Sequence, residues 1–495
     1  MKIVCVAKSL RLKLALRRLE SKLHLKVITE LENQVLAKTR SAGFVLFATA
    51  VAAIGGFLFG YDTAVINGAN TYLQAHFGLN PDRDAFWIGL ATTSAIYGCV
   101  PGAMAAGFFS DRFGRRRVLF FCALLYALSA VLSAVPQTLG QFVAARFLSG
   151  IAIGISSMIC PVYIAEIAPA KWRGRLGTLF QLGIVTGIFL TLFVNQWIQK
   201  SGDADWNAAW GWRWMLGTEV VPAAVFLALL FAVPESPRWL IQAGREPEAR
   251  QILERVGGAP HAETEIAAVR EVLEQEEGTL AELFSARYRL PLLIAFVLTV
   301  GAQFSGINSI MYYSTEIFRN ATGNANAAFA STVLVGLINF LATFIAILFV
   351  DKAGRKPLLL IGNTVQVIAL VAVGVIFADA SHSPALLWFV LLYIAAFAMA
   401  MGPLPWLVCS EIFPAKLRGR AMSISAFLVW VACLAVAQTF PILLDSLGPT
   451  RTFLLYAACS AATFLFVLFC FRETKGRTLE QIETMWSGAK PIARA

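Results

Sequence analysis

Asp111-Arg-Phe-Gly-Arg-Arg116 returns in the same chain as Asp351-Lys-Ala-Gly-Arg-Lys356. Two more stretches repeat in the same order and at nearly the same separation. Glu166-Ile-Ala-Pro-Ala-Lys-Trp-Arg-Gly-Arg175 returns as Glu411-Ile-Phe-Pro-Ala-Lys-Leu-Arg-Gly-Arg420, and the Glu-Ser of Pro234-Glu-Ser-Pro-Arg238 as the Glu-Thr of Arg472-Glu-Thr-Lys-Gly-Arg477. Three motifs in register mark a duplicated unit. Between them run apolar stretches near 43–67, 86–108, 117–136, 139–163, 176–199, 212–232, 290–313, 326–350, 356–378, 385–409, 421–443 and 451–471. Each is long enough to cross a hydrocarbon core of about 30 Å as a helix. Long runs of Leu, Ala, Phe, Gly and Val, without ten-residue alternation, exclude an outer-membrane barrel. The fold class is therefore an all-α membrane protein, twelve transmembrane helices in two six-helix repeats with a small cytoplasmic helical segment. The expected divisions are a basic extension 1–40, a bundle 41–232, a linker 233–289, a second bundle 290–472 and a tail 473–495.

With 58% apolar residues, 14% charged and a mean hydropathy of +0.68, the 495-residue chain is not a string of soluble domains. Its net charge of +11 does not point to nucleic acid, because residues 1–40 alone hold ten Lys or Arg against three Glu. Counted by alternate loops, one side carries 35 of the 41 basic residues, and the other only Arg83, Lys200, Arg213, Arg319 and Arg451. The positive-inside rule then puts both termini and the linker in the cytoplasm. Charge is spread through residues 1–40, so no cleavable signal peptide is expected. Ser9 to Lys26 is either an amphipathic surface helix or a leader without structural consequence. The linker is expected to form charged helices over 246–256 and 262–277. The eight cysteines form no CxxC pair and read as small apolar residues. No nucleophile–base pair, metal-ligand spacing or phosphate loop is present, so no catalytic site, metal or cofactor is expected.

Three ionisable residues fall inside spans: Asp62, Arg146 and Glu219. Intramembrane charge is costly and is a functional candidate by default. Asp62 reads as a proton carrier or as a hydrogen-bonding group at a broken helix. Arg146 reads as its counter-ion or as a packing clamp. Glu219, beside Pro222, reads as a second carrier or as a partner for backbone freed by the proline. All four histidines lie outside the expected spans, which excludes a buried histidine relay.

Gly107 to Arg116, Arg146 to Gly150, Pro161 to Arg175, Pro234 to Leu240 and Glu473 to Leu479 resemble the signatures of the sugar porter family of the major facilitator superfamily, over about 44–483. Gly60 to Ile66, Thr218 to Ala223 and Val350 to Leu358 are most similar to the bacterial proton-linked pentose and hexose symporters. The resemblance implies a monomeric, multi-pass carrier in the bacterial inner membrane that moves a monosaccharide with a proton by rocking two halves about a central site. A facilitative uniporter and a non-transporting sugar sensor are the competing readings. Asp62 weighs against the first, and the short stretch after the last span against the second.

Neutral, hydroxyl-rich sugars need amides that both donate and accept, with aromatic faces against their C–H surface. The family's cavity positions match here at Gln181, Gln303, Asn308, Asn339 and Trp406, with Trp430, Phe59, Tyr312 and Tyr313 as secondary contacts. Ala302, Ala398 and Val429 stand where the family often has polar residues, and Arg472 replaces a usual Pro. Gly402-Pro-Leu-Pro405 is expected to break its helix beside Trp406. The cytoplasmic charges (Asp111, Arg112, Arg115, Arg116, Glu166, Arg173, Arg175 and Glu235; then Asp351, Arg355, Glu411, Arg418, Arg420 and Glu473) read either as topogenic charge on solvated loops or as a gate. The resemblance favours a gate: inter-helix ion pairs made when the cytoplasmic side is shut and broken when it opens.

Overall fold

The computed structural model describes residues 42–169, 172–274, 279–378, 385–475, 481–482 and 485; the extension 1–40 and the end of the expected 262–277 helix lie outside them. The described residues form helices, turns and bends, with no strand among them. The first half comprises α1 (Ala42–Phe77), α2 (Ala85–Phe113), α3 (Arg115–Ala134), α4 (Leu139–Ile167), α5 (Arg173–Lys200) and α6 (Ala204–Leu230). The linker forms α7 (Pro237–Gln242), α8 (Glu246–Gly257), α9 (Ala259–Glu274) and α10 (Leu280–Leu283). The second half comprises α11 (Ala286–Thr322), α12 (Ala325–Ala353), α13 (Arg355–Ala378), α14 (Ala385–Ile412) and the segment Ala415–Cys470. Gly448 at φ 75°, followed by Pro449, breaks that last segment into α15 (415–447) and α16 (449–470). The eleven apolar helical segments among the described residues thus supply twelve crossings.

Glycine sets how closely the helices pack. A Cβ on Gly102 of α2 would meet the Ile151 carbonyl oxygen of α4 at 2.6 Å, and one on Gly183 of α5 would meet that of Ala53 in α1 at 2.5 Å. Small residues let membrane helices approach this closely, where van der Waals contact takes over from the hydrophobic effect. Phe108, Trp197, Trp388 and Phe469 are exposed on the outside of the bundle. The halves meet where α2 packs against α15 and α5 against α12, and where α1 bonds to α11. In the linker, α8 turns Ala249, Leu253 and Val256 inward, and α9 answers with Ala262 and Ile266. Arg255 lies 4.4 Å over the Phe44 ring, tying this small layer to α1.

Three membrane helices are interrupted at mid-course. Gly306 breaks α11 in the left-handed region at φ 85°. Residues 400–403 form a turn in α14, where Gly402-Pro-Leu-Pro405 lies. Thr218 and Glu219 interrupt α6, because Pro222 has no N–H to offer the Thr218 carbonyl, which accepts instead from Val221 N at 3.2 Å. Each break lies next to a residue singled out from the sequence: Gln303 and Asn308, Trp406, and Glu219.

Candidate functional site

In the first half, Asp62 on α1, Arg146 on α4 and Glu219 at the α6 break are 0%, 2% and 1% exposed. Arg146 Nη1 lies 2.6 Å from Asp62 Oδ1, and Nη2 donates to the Asp62 backbone carbonyl at 3.1 Å. One side chain thus touches both the carboxylate and the backbone carbonyl of Asp62. The ionic contact is close but poorly aligned: neither Asp62 carboxylate oxygen, nor Arg146 Nε, nor Glu219 Oε1 has a hydrogen-bond partner. Glu219 is near enough to interact electrostatically with both Asp62 and Arg146. The Tyr61 hydroxyl, 2.8 Å from Thr218 Oγ1, ties α1 to the α6 break.

The second half places amides at the corresponding depth. The kink at Gly306 swings Gln303 and Asn308 together, so that Asn308 Nδ2 donates to Gln303 Oε1 at 2.6 Å. In an unbroken helix, residues five apart point about 140° away from each other. Gln303, Asn308, Gln181 and Phe59 are partly exposed, Trp406 is 37% exposed and Asn339 is buried. Trp430 is packed 5.4 Å from Phe59 across the seam. Thr63, Thr92, Cys99, Arg146, Tyr312 and Trp430 line a cavity with room for about one water, so the ionic cluster of one half borders aromatics of the other. Tyr313 sits deeper in the packing, its hydroxyl donating to the Ala437 carbonyl at 3.3 Å and its ring 5.0 Å from Phe440. Ala302 and Ala398 are buried, while Val429 is half-buried.

At the linker end of the bundle, Arg115 and Arg355 each form an ion pair within their own half. Arg115 bonds Glu166 through Nε and Nη2 at 3.0 and 3.1 Å and reaches Asp111 at 3.1 Å. Arg355 meets Glu411 at 2.9 Å. Glu235 and Glu473, read from the sequence as topogenic charge or as members of a gate, accept from backbone. Glu235 Oε1 takes the N–H groups of Arg115 and Arg116, and Glu473 takes those of Arg355 and Lys356. Each caps a helix start, where orphan N–H groups and the helix dipole favour a carboxylate. Burial pushes the Glu473 carboxyl up, and the N–H groups of Lys475, Arg355, Lys356 and Thr474 outweigh it, leaving it below the usual carboxylate value. Arg112, Arg173 and Arg175 are exposed. Arg418 donates to the Phe413 carbonyl at 3.4 Å, and Arg420 is half-buried. Asp351 lies in the last turn of α12, and its side chain is outside the described set.

At the end of the bundle away from the linker, hydrogen bonds join the two halves. Asn67 and Asn70 of α1 donate to Met311 and Tyr312 carbonyls of α11, Gln438 of α15 donates to the Phe86 carbonyl, and Gln199 of α5 donates to Asn326. Gln74 lies 3.5 Å from Glu316. The sequence reading did not single out this set, and because it ended the first span at 67 and the seventh at 313, whereas α1 and α11 run on to Phe77 and Thr322, it left Asn70, Gln74 and Glu316 outside the spans. The run of Asn67, Asn70 and Gln74, one helical turn apart on α1, was the available signal. His76, read as a loop residue, lies in the last turn of α1 beside Trp212 and 3.2 Å from Arg213.

Residues 48–486 match the family model described as Sugar (and other) transporter. The chain is 40% identical over 461 residues to the arabinose-proton symporter of Bacillus subtilis (strain 168), covering 92% of this chain and 98% of that protein. It is 36% identical over 474 residues to the D-xylose-proton symporter of Escherichia coli (strain K12), covering 90% and 96%. The inward-open conformation of the E. coli xylose transporter matches with a TM-score of 0.80 and 35% identity, covering 90% of this chain and 100% of that one.

Proposed function

This chain belongs to the Sugar (and other) transporter family, and from that premise we propose that it imports a monosaccharide, a pentose or hexose, together with a proton by alternating access. The family is one of membrane transporters rather than enzymes. The observation that carries the proton is the buried cluster of two carboxyls and one guanidinium, in which the single Arg146 charge faces both Asp62 and Glu219. With both carboxyls ionised the cluster is one negative charge in excess. A single proton makes it neutral, and an uncompensated charge at that depth costs several kcal/mol. Proton loading from outside therefore favours closure around the sugar, and release inside resets the carrier. The amides Gln181, Gln303, Asn308 and Asn339 supply paired donors and acceptors for sugar hydroxyls, with Trp406, Trp430 and Phe59 as apolar walls. Tyr312 and Tyr313 act from behind them.

In this state the outer side is held by bonds between halves, while the cytoplasmic charges bond within halves. Rocking to the other state brings the exposed Arg112, Arg173 and Arg175 towards the opposite half, with Arg418, Arg420 and Asp351 as the second half's share of that closure. The protein works as a monomer in the bacterial inner membrane with both termini cytoplasmic. A cysteine at Asn320 is labelled by an impermeant reagent from outside and one at Gln275 is not; the reverse pattern overturns the orientation. The deciding experiment is uptake into proteoliposomes of labelled pentoses, hexoses, deoxy sugars and polyols, with and without an imposed pH gradient. One sugar accumulates above its outside level only with the gradient. Equilibration without accumulation makes the protein a facilitator.

A further inference from the structure

The bend in α11 is held from two sides. Gly306 at φ 85° redirects the helix, and the second segment starts with Ile310 N bonded to the Gly306 carbonyl at 3.2 Å. Tyr393 of α14 donates its hydroxyl to the Ser305 carbonyl at 2.9 Å and lies 2.9 Å from Ser305 Oγ. In an unbroken helix that carbonyl accepts from the N–H four residues on, which belongs to Ser309. Tyr456 of α16 holds the other side, its hydroxyl 2.9 Å from Ser309 Oγ. Its ring covers Gly306, where an added Cβ would run into it. The two residues of one interrupted helical bond are thus each bonded to a tyrosine from a different helix. Ser305, Ser309, Tyr393 and Tyr456 are all buried, and none belongs to the sets assigned above to sugar, proton or gate.

We propose that Tyr393 and Tyr456 are positioning residues of the sugar site: by fixing the bend of α11 they hold Gln303 and Asn308 side by side, their amides 2.6 Å apart. The proposal rests on the reading of those two amides as sugar ligands. Its physical reason is a choice of partners. Glycine permits a left-handed φ but does not impose one. A buried carbonyl needs a donor, and that of Ser305 has two to choose between, the Ser309 N–H of a straight helix and the Tyr393 hydroxyl of a bent one. The hydroxyl keeps the bent form satisfied, so the two amides meet instead of pointing about 140° apart. Without it, straightening is what gives the carbonyl a partner again. Tyr393 also precedes the turn at 400–403 in α14, so the stretch that leads to Trp406 and the bend that aims Gln303 share one brace.

The test separates the bend from the binding. Hydrogen exchange over residues 304–311, followed by mass spectrometry, reads the backbone. The N–H groups of Ile307, Asn308 and Ser309 open the second segment and lack partners within it. A straight α11 bonds them to the carbonyls of Gln303, Phe304 and Ser305. Tyr393→Phe is therefore expected to slow exchange there by about fivefold, and Tyr456→Phe, which keeps the ring over Gly306, by a smaller factor. A fold that merely loosens exchanges faster.

Affinity for the labelled pentose or hexose that the wild type accumulates falls about three- to tenfold in Y393F and about threefold in Y456F. In a Gln303→Ala background Y393F loses less than it does alone, because one of the two amides it aims is gone. Unchanged or faster exchange in Y393F overturns the proposal, as do losses that add in full. Where Y393F does not fold, unchanged or faster exchange in Y456F does so. Slowed exchange with unchanged sugar affinity leaves the brace standing and removes instead the reading of Gln303 and Asn308 as sugar ligands.

Discussion

At its linker end each half builds the same helix start. Gly114 at φ 93° opens α3 and Gly354 at φ 92° opens α13. Glu235 and Glu473 take the first N–H groups of those helices, and a Cβ on either glycine would press against the capping carboxylate. Ser236 donates to Glu166 at 2.6 Å, as Thr474 does to Glu411 at 2.7 Å. Arg116 caps the last carbonyls of α6, as Lys356 reaches the Leu468 carbonyl of α16. Halfway across the membrane the likeness stops. The first half buries Asp62, Arg146 and Glu219; the second sets Gln303, Asn308 and Trp406 around two broken helices. The duplication kept the capped helix starts and let the interiors diverge into an ionic cluster and an amide-lined wall. The proposed division of labour follows: proton in one half, most of the sugar contacts in the other.

The sharpest way to break that division is Asp62→Asn. It is expected to abolish accumulation against a gradient and sugar-driven alkalinisation while sugar binding persists. The loss is large, since one proton per sugar supplies about 2.3 kcal/mol per 100 mV, roughly a fiftyfold concentration ratio. A D62N protein that still concentrates sugar moves the coupling to Glu219. On the other side of the comparison, Gln303→Ala leaves sugar hydroxyls and Asn308 unpaired in a dry site. Binding weakens by about 1 to 3 kcal/mol, roughly 5- to 150-fold, with proton coupling intact for the sugar that still binds. Equal affinity in the folded variant removes Gln303 from the sugar wall.

The smallest effects test the likeness itself. Glu235→Gln and Glu473→Gln each weaken a helix cap and are expected to lower thermal stability by similar amounts, about 1 to 2 kcal/mol. A large inequality between them would show that the two ends are not equivalent. Glu473 adds a pH signature. Because its carboxyl is held below the usual value, it stabilises the fold above the ordinary carboxylate pKa of about 4.3 and loses that contribution as pH falls through the lower folded value. Thermal unfolding of wild type and E473Q should therefore differ at neutral pH and converge in acid; parallel curves would remove Glu473 as the cause.

Hydropathy, the duplicated motifs and the scarcity of buried charge made the spans, the halves and the Asp62–Arg146 pair legible in the sequence, because each depends on residue type alone. The caps were not legible. Glu235 and Glu473 bind backbone N–H groups, which every non-proline residue carries and no letter distinguishes, so a carboxylate beside arginines read as an ion pair. The partner of Asn67 was hidden for the same reason, being a carbonyl and an N–H on α11. Gly306 gave too little signal as a single glycine in an apolar run, although its kink is what brings Gln303 to Asn308.

α1 differs from α6, α11 and α14 in running unbroken for 36 residues. At 1.5 Å per residue it is about 54 Å long, against a hydrocarbon core of about 30 Å, and it behaves as a lever. Asp62 and Asn67 sit about 7.5 Å apart along it. A pivot of about 10° at the carboxylate sweeps the amide through about 1.3 Å, which carries a 2.6 Å contact out of hydrogen-bonding range. A small rotation of the whole first half is thus enough to part α1 from α11 at Asn67.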